Sequence, residues 1–289
     1  MKKVVLITGT STGIGLHTAV FLAKNDYTVY ASMRDTGKHE LLQKEAESQA
    51  VSVNIMKLDV QVEESIRECV QDIIQREERL DVLVNNAGTG FLRTVEQATM
   101  QEIEHVMDVN FYGPLRCIKA VLPQMRKQQS GHIINVSSVG GLVGQPINEI
   151  YCAAKFALEG FTESISSYMK PYFGINVSLI EPGGVMTEFG NNVMKYIENT
   201  GGLKQDAYSP LMNDYMEYRK TFANPDIKAK VFQTPQQVAE VVFKVIKDEN
   251  PKLRYLTSPW TEEFTLLKTG ADKDGMKLQK EVRKRILKK

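Results

Sequence analysis

Seven short apolar runs, each separated from the next by a longer amphipathic stretch, constrain this chain more than any other feature. They are Val4–Ile7, Thr28–Ser32, Val53–Lys57, Val82–Val84, His132–Val136, Asn176–Ile180 and Leu253–Thr257. Each is rich in Val, Ile or Leu, as strands covered on both faces are. Helical patterns fall between them at 13–25, 37–49, 62–77, 99–127 and 150–172. Such alternation gives right-handed βαβ crossovers. The expectation is an α/β fold: a doubly wound parallel sheet of about seven strands with helices on both faces. Residues 1–289 are expected to form a single domain.

The bulk composition suits that fold. With 42% hydrophobic and 25% charged residues the chain can bury a core. A formal net charge of +1 gives no reason to expect nucleic acid as a partner. Cys69, Cys117 and Cys152 are odd in number and lack metal-ligand spacing. They read as reduced thiols and predict an intracellular, cytoplasmic protein. Lys2-Lys3 precedes an apolar run, but Thr8-Gly9-Thr10 ends that run after four residues, too few for a signal core. No stretch predicts a transmembrane segment.

Two segments depart from the rhythm. Residues 184–234 show no clear strand and carry Met186, Phe189, Met194, Tyr196, Tyr215, Tyr218 and Phe222. This Met- and aromatic-rich insertion predicts a substrate lid over an apolar pocket, with added core packing as the plainer alternative. The basic tail 277–289 predicts a helix with Leu278, Val282, Ile286 and Leu287 in a narrow stripe. A solvated helix end and an oligomer contact are the ordinary readings of it; a membrane surface or acidic partner is the other.

Gly9, Ser11, Thr12, Gly13, Ile14 and Gly15 lie directly after the first strand and open the first helix. Glycines there let the backbone approach a pyrophosphate, and the helix N-terminus offers free N–H groups and positive dipole. The second strand ends Ser32-Met33-Arg34-Asp35. An acid at the strand end selects NAD, whereas an arginine fork suits the 2′-phosphate of NADP. Arg34 favours NADP(H); Asp35, one residue on, is the argument for NAD(H).

Tyr151 and Lys155 are spaced i, i+4 on one helical face. An ammonium near the phenol stabilises the phenolate, so Tyr151 can trade a proton with a carbonyl or alcohol oxygen. Taken alone the spacing is weak. Its context strengthens it, because Ser137-Ser138 ends the fifth strand, where such a sheet opens its ligand crevice. The Ser138 hydroxyl can hold the substrate oxygen there.

Together these residues resemble the short-chain dehydrogenase/reductase family. The matching pieces are Thr8–Gly15, Asp59-Val60, Asn85-Asn86-Ala87-Gly88, Asn110, Ser138, Tyr151, Lys155 and Pro182-Gly183-Gly184-Val185-Met186-Thr187, in the family's order and spacing. The resemblance implies a Rossmann-type fold. It further implies that Asp59, with Val60, meets the adenine; that Asn86, Ala87 and Gly88 line the adenine ribose; and that Val185 and Thr187 bond the carboxamide. Asn110 would hold a water linked to Lys155, and Lys155 would bind the nicotinamide ribose. Tyr30–Asp35, Thr234–Glu240 and Pro251–Tyr255 look like the branch holding 17β-hydroxysteroid and retinol dehydrogenases.

The substrate expected is a small lipophilic carbonyl or alcohol in a pocket of Ser138, Val139, Leu142, Val143, Tyr151, Met186, Phe189, Tyr215 and Tyr218. Two alternatives use the same fold: a non-catalytic NADP sensor or scaffold, and an epimerase built on the same Tyr/Lys pair. The resemblance also implies a homodimer or homotetramer. Phe161, Ile165 and Tyr168 fall either at its seam or in the core.

Overall fold

The computed structural model describes residues 2–284. β1 Val4–Thr8 passes through the glycine turn into α1 Gly13–Lys24 and returns as β2 Thr28–Met33. α2 Glu40–Ser48, β3 Asn54–Lys57, α3 Glu63–Glu77 and β4 Val82–Asn85 follow. Next come α4 Met100–Met107, α5 Gly113–Gln128, β5 Gly131–Val136, α6 Glu149–Phe173 and β6 Ile175–Glu181. Between β7 Gly184–Val185 and β8 Phe232–Gln233 lie α7 Phe189–Asn199, α8 Ser209–Lys220 and α9 Pro225–Val231. α10 Pro235–Lys247, β9 Arg254–Leu256, α11 Pro259–Thr269 and α12 Met276–Val282 complete the described chain.

Seven strands form one sheet in the order β3-β2-β1-β4-β5-β6-β9, every pairing parallel. Strand residues alternate between two cores because successive side chains point to opposite faces. Val4 and Leu6 join Leu83 and Ile133 beneath α3, α5 and α6. Val5 and Ile7 join Val84 and Ile134 beneath α1 and α10. A residue such as Leu6 or Ile7, wholly buried, contributes about 1.5–3 kcal/mol. The strand order reverses between β1 and β4, so a crevice opens at their carboxyl ends beside Thr8 and Asn85.

The sequence pattern and the structure differ in three places. The 99–127 helix is broken: Asp108–Tyr112 forms a π-helical turn between α4 and α5. Gly113 N–H donates to the Asp108 carbonyl, and Pro114 behind it has no N–H to offer. The 184–234 segment does contain strands, but β7 and β8 are two residues each and pair with one another. Runs so short leave no periodicity to read. α10 and α11 also lie outside the sequence-level helical segments. A capping box of Thr234 and Gln237 starts α10, which buries Val238, Val242 and Val245.

Ile165 is buried in the core, and Phe161 and Tyr168 pack partly against the same cluster. In the basic tail Leu278 is exposed; Ile286 and Leu287 lie outside the described residues. No described helix is long and apolar enough to cross a membrane. The described residues contain no cluster of side chains suited to a metal ion.

Candidate active site

The glycine turn is fitted to the β4 end. Gly9 has φ 71, and a Cβ there would lie 2.8 Å from the Ala87 Cα. A Cβ on Gly15 would collide with the Gly9 carbonyl oxygen and with Asn86 Nδ2. Asn86 Nδ2 donates to the carbonyls of Thr8 and Gly9 at 2.9 Å each. Thr8 Oγ1 accepts from the N–H groups of Asn86 and Ala87, 3.0 Å each. On the other side Thr10 N–H and hydroxyl both donate to the Ser32 carbonyl. The turn is thereby stitched to both neighbouring strands.

Behind it α1 begins with no side-chain cap on Thr12 and no acid in its first turn. Its N–H groups and dipole remain open to an anion. Thr187 closes over Gly13, its Cγ2 3.2 Å from where a Cβ would stand. Val185 and Ile14 pack against the same core. Arg34 is exposed after β2, and none of the described carboxylates pairs with it. Asp35 is occupied locally, its Oδ1 accepting from Gly37 N–H at 3.0 Å. Asp59 Oδ1 likewise accepts from Gln61 N–H, which holds the Asp59-Val60 corner. These residues fit a dinucleotide: a cradle that a Cβ would fill, a free helix N-terminus, and an unpaired guanidinium at the strand end that would meet a ribose phosphate.

Ser138 after β5, Asn110 in the π-helical turn, and Tyr151 and Lys155 on α6 meet at this edge. Ser138 Oγ accepts from Gly140 N–H at 3.0 Å and lies within hydrogen-bonding reach of the Tyr151 phenol. Tyr151 and Lys155 stand one turn apart on α6. Burial pushes the Tyr151 phenol up to about 12, with the Ser138 hydroxyl pulling the other way. Burial draws the Lys155 ammonium down to about 8, opposed by the Glu159 carboxylate. Lys155 Nζ donates to the Val136 carbonyl at 2.9 Å and sits 5.8 Å from the Tyr151 ring centroid. The ammonium therefore lies over the phenol ring.

Asn110 explains the π-helical turn. Its Nδ2 donates to the carbonyls of Thr89 (2.9 Å) and Val106 (3.0 Å), and its Oδ1 accepts from Thr89 N–H. A Cβ on Gly88 would stand 3.0 Å from Asn110 Oδ1 and 3.8 Å from Lys155 Nζ. The missing side chain at Gly88 keeps the approach to both groups open.

Beside these residues lies a cleft of roughly 210 Å³ between the Gly88–Phe91 loop, α4 and α7. Phe189 is its bridge to the phenol, with ring centroids 5.9 Å apart and edge to face. Of the other residues expected in a pocket, Val139 is buried, Leu142 and Val143 are half-buried and Met186 is exposed. Tyr215 packs into a cluster around Leu92, Ile147, Ile197 and Met212. Tyr218 instead meets Phe222 edge to face at 5.0 Å, and Phe222 meets Phe232 in the same way.

Beside Tyr196 of the expected lid, the cleft holds three residues that the sequence did not single out: Glu102, His105 and Asn192. Burial opposes ionisation of Glu102, but Thr99, Tyr196 and Arg93 together hold it below its ordinary value. Glu102 Oε1 accepts from the Tyr196 hydroxyl at 2.9 Å and faces Arg93 Nε at 3.3 Å. Only the Thr99-x-x-Glu102 spacing hinted at this residue, and it hints at a helix cap. Ile147, just ahead of α6, takes φ 64 while wholly buried. A β-branched residue rarely adopts that conformation.

The family model described as short chain dehydrogenase matches residues 3–197. Retinol dehydrogenase 8 of Bos taurus is 41% identical over 262 residues, 89% of this chain and 81% of that one. 17-beta-hydroxysteroid dehydrogenase type 1 of Homo sapiens is 38% identical, covering 91% of this chain and 79% of its own length. A crystal structure of an actinorhodin polyketide ketoreductase with NADPH has TM-score 0.75 and 25% identity, covering 89% of this chain and 96% of its own. The chain belongs to the short-chain dehydrogenase/reductase family.

Proposed function

We propose that this protein is an NADP(H)-dependent oxidoreductase interconverting a carbonyl and a secondary or primary alcohol on a bulky apolar substrate, with Tyr151 as acid/base. The observation that carries the reading is the meeting of Ser138, Tyr151, Lys155 and Asn110 beside the dinucleotide cradle. The cofactor supplies or accepts the hydride when bound. Gly9, Gly13 and the α1 N-terminus would hold its pyrophosphate, and Arg34 its 2′-phosphate. Ser138 orients the substrate oxygen next to the phenol. Tyr151, kept protonated by burial, gives its proton to that oxygen in the reductive direction and takes one from the alcohol in the reverse. Lys155 and the space at Gly88 then lead the replacement proton in past Asn110.

Residues 184–234 serve as the lid in this reading, with Phe189 at the mouth beside Tyr151. Three relatives are named for lipid-like molecules: retinol, a 17-beta-hydroxysteroid, and, at 34% identity in Bacteroides thetaiotaomicron, 3-ketodihydrosphingosine. Phe91, Val106, Phe189 and Val193 line the cleft, and Glu102 is already engaged, which supports an apolar ligand. We further place the protein in the cytoplasm as a homodimer or homotetramer. The test is NADPH consumption across aliphatic, aromatic, steroid and retinoid carbonyls, with NADH for comparison and Tyr151→Phe as control. Turnover with NADPH that drops by about 10²-fold or more in Tyr151→Phe is expected. Equal turnover in the variant would overturn the role of Tyr151.

A further inference from the structure

One helical turn beyond Lys155, the same face of α6 carries Glu159, which the acid/base chemistry does not use. Glu159 is 4% exposed and Glu181, at the end of β6, is 0% exposed. Their carboxyl groups lie within hydrogen-bonding reach of each other. Among the described residues Arg254 on β9 is the one cation facing both, at 3.4 Å from each. It also pairs with Glu163 at 2.7 Å, one turn further along α6. Around this group stand the Ser137 hydroxyl beneath Ser138 and, toward Tyr151, Lys155. Glu159 Oε1 and both Glu181 oxygens are buried and make no well-formed hydrogen bond.

Two buried carboxylates and one guanidinium cannot both stay ionised and leave three acceptor oxygens unmatched. An unpaired buried charge is strongly disfavoured, while one proton between two carboxyls removes the conflict, as in other close carboxyl pairs. Burial and the neighbouring carboxyl both favour that protonated state: Glu181 is held well above the ordinary range. The remaining negative charge then acts on Lys155, whose ammonium donates to the Val136 carbonyl and lies over the Tyr151 ring.

We propose that Glu159 and Glu181 share one proton and form a positioning pair that acts on Tyr151 through the charge of Lys155. The inference rests on the oxidoreductase reading for its effect on turnover, but not for the shared proton itself. Where the proton sits matters. On Glu181, it leaves Glu159 ionised and the Lys155 ammonium supported. On Glu159, it withdraws that support. The pair therefore tunes the ammonium that the Tyr151 phenolate needs, with no atom of its own touching substrate.

Glu159→Gln and Glu181→Gln test this with opposite signs. Infrared difference spectra at pH 7 are expected to show a protonated-carboxyl stretch in the unsubstituted protein that both variants lose. Titration of Lys155, followed by its ε-carbon in NMR, is expected to move down by about one pH unit in Glu159→Gln. It should move up in Glu181→Gln, where the amide donates to a fixed carboxylate. The alkaline limb of kcat should follow in each case. Absence of the carboxyl band, or a Lys155 midpoint the same in both variants as in the parent, would overturn the proposal. If the band and the midpoint shifts appear but no carbonyl is ever reduced, the pair stands and the oxidoreductase reading fails. If one variant does not fold, the other still decides by the sign of its shift.

Discussion

Stability below neutral pH should be set largely by His132, a residue remote from the chemistry. Its ring is 5% exposed in β5, and Nε2 lies 3.0 Å from Ser178 Oγ. Ser178 spends its own proton on the Lys252 carbonyl at 2.8 Å, so Nε2 is the donor. Burial, with smaller contributions from Lys170 and Lys3, pulls the imidazolium down from 6.5 to about 3. The folded state thus refuses a proton that the unfolded chain accepts. Folding stability is complete above 6.5, falls as pH drops below it, and levels off near 3. At pH 5 the loss is about 2 kcal/mol, from 1.5 pH units at 1.36 kcal/mol each. That figure barely depends on the folded value as long as the latter stays below about 4. Urea unfolding at pH 7.5 and 5.0 measures it, with His132→Gln as the reference that cannot titrate. Glu159 and Glu181, whose raised values act with the opposite sign, are common to both proteins and cancel. The parent should lose about 2 kcal/mol more than the variant between the two pH values. Parallel losses would refute a neutral, buried His132.

Arg34→Ala should raise the KM for NADPH by about 10- to 100-fold and leave NADH kinetics alone, since a charged hydrogen bond contributes about 1.5–3 kcal/mol. An equal effect on both cofactors would exclude a 2′-phosphate contact. Gly88→Ala should fold normally, because no positive φ is involved, yet lower kcat by at least about tenfold by filling the approach to Asn110 and Lys155. An unchanged solvent isotope effect on its kcat would count against a water there. Phe189→Ala should raise KM for lipophilic carbonyls by about tenfold, the scale of one lost apolar contact, with a smaller change in kcat. A loss confined to kcat would remove Phe189 from substrate binding.

The sheet was legible because its central strands are buried on both faces, so Val4–Ile7 reads as an unbroken apolar run and Ile133-Ile134 marks another between two polar residues. The cradle was legible because Gly9 and Gly15 are forced by close backbone approach at Ala87 and Gly9, which only glycine survives. The break at Asn110 was not, since a side chain satisfying the Val106 and Thr89 carbonyls leaves no mark on hydrophobic spacing. Glu159 and Glu181 were invisible for a related reason. A glutamate in a helix or at a strand end reads as a solvated charge, and only the fold puts one carboxyl against the other. Glu102, His105 and Tyr196 come from α4 and α7, nearly a hundred residues apart, and nothing local joins them.

Ile147 links the mouth of the cleft to the phenol. Its left-handed backbone costs about 1–2 kcal/mol, and packing against Leu92, Ile197 and Met212 holds it there. Ile197 and Met212 belong to α7 and α8, whereas Ile147 sits four residues before Tyr151. Raising those helices removes the weight that keeps the residue bent, and the backbone leading into α6 relaxes. On the lid reading proposed above, closure and alignment would be one equilibrium, a mechanical interlock that sets the phenol as the mouth shuts. Amide exchange at the start of α6 and in α7 should accordingly slow in step as ligand is added, and reduced cofactor should be safe from idle oxidation while the mouth stands open.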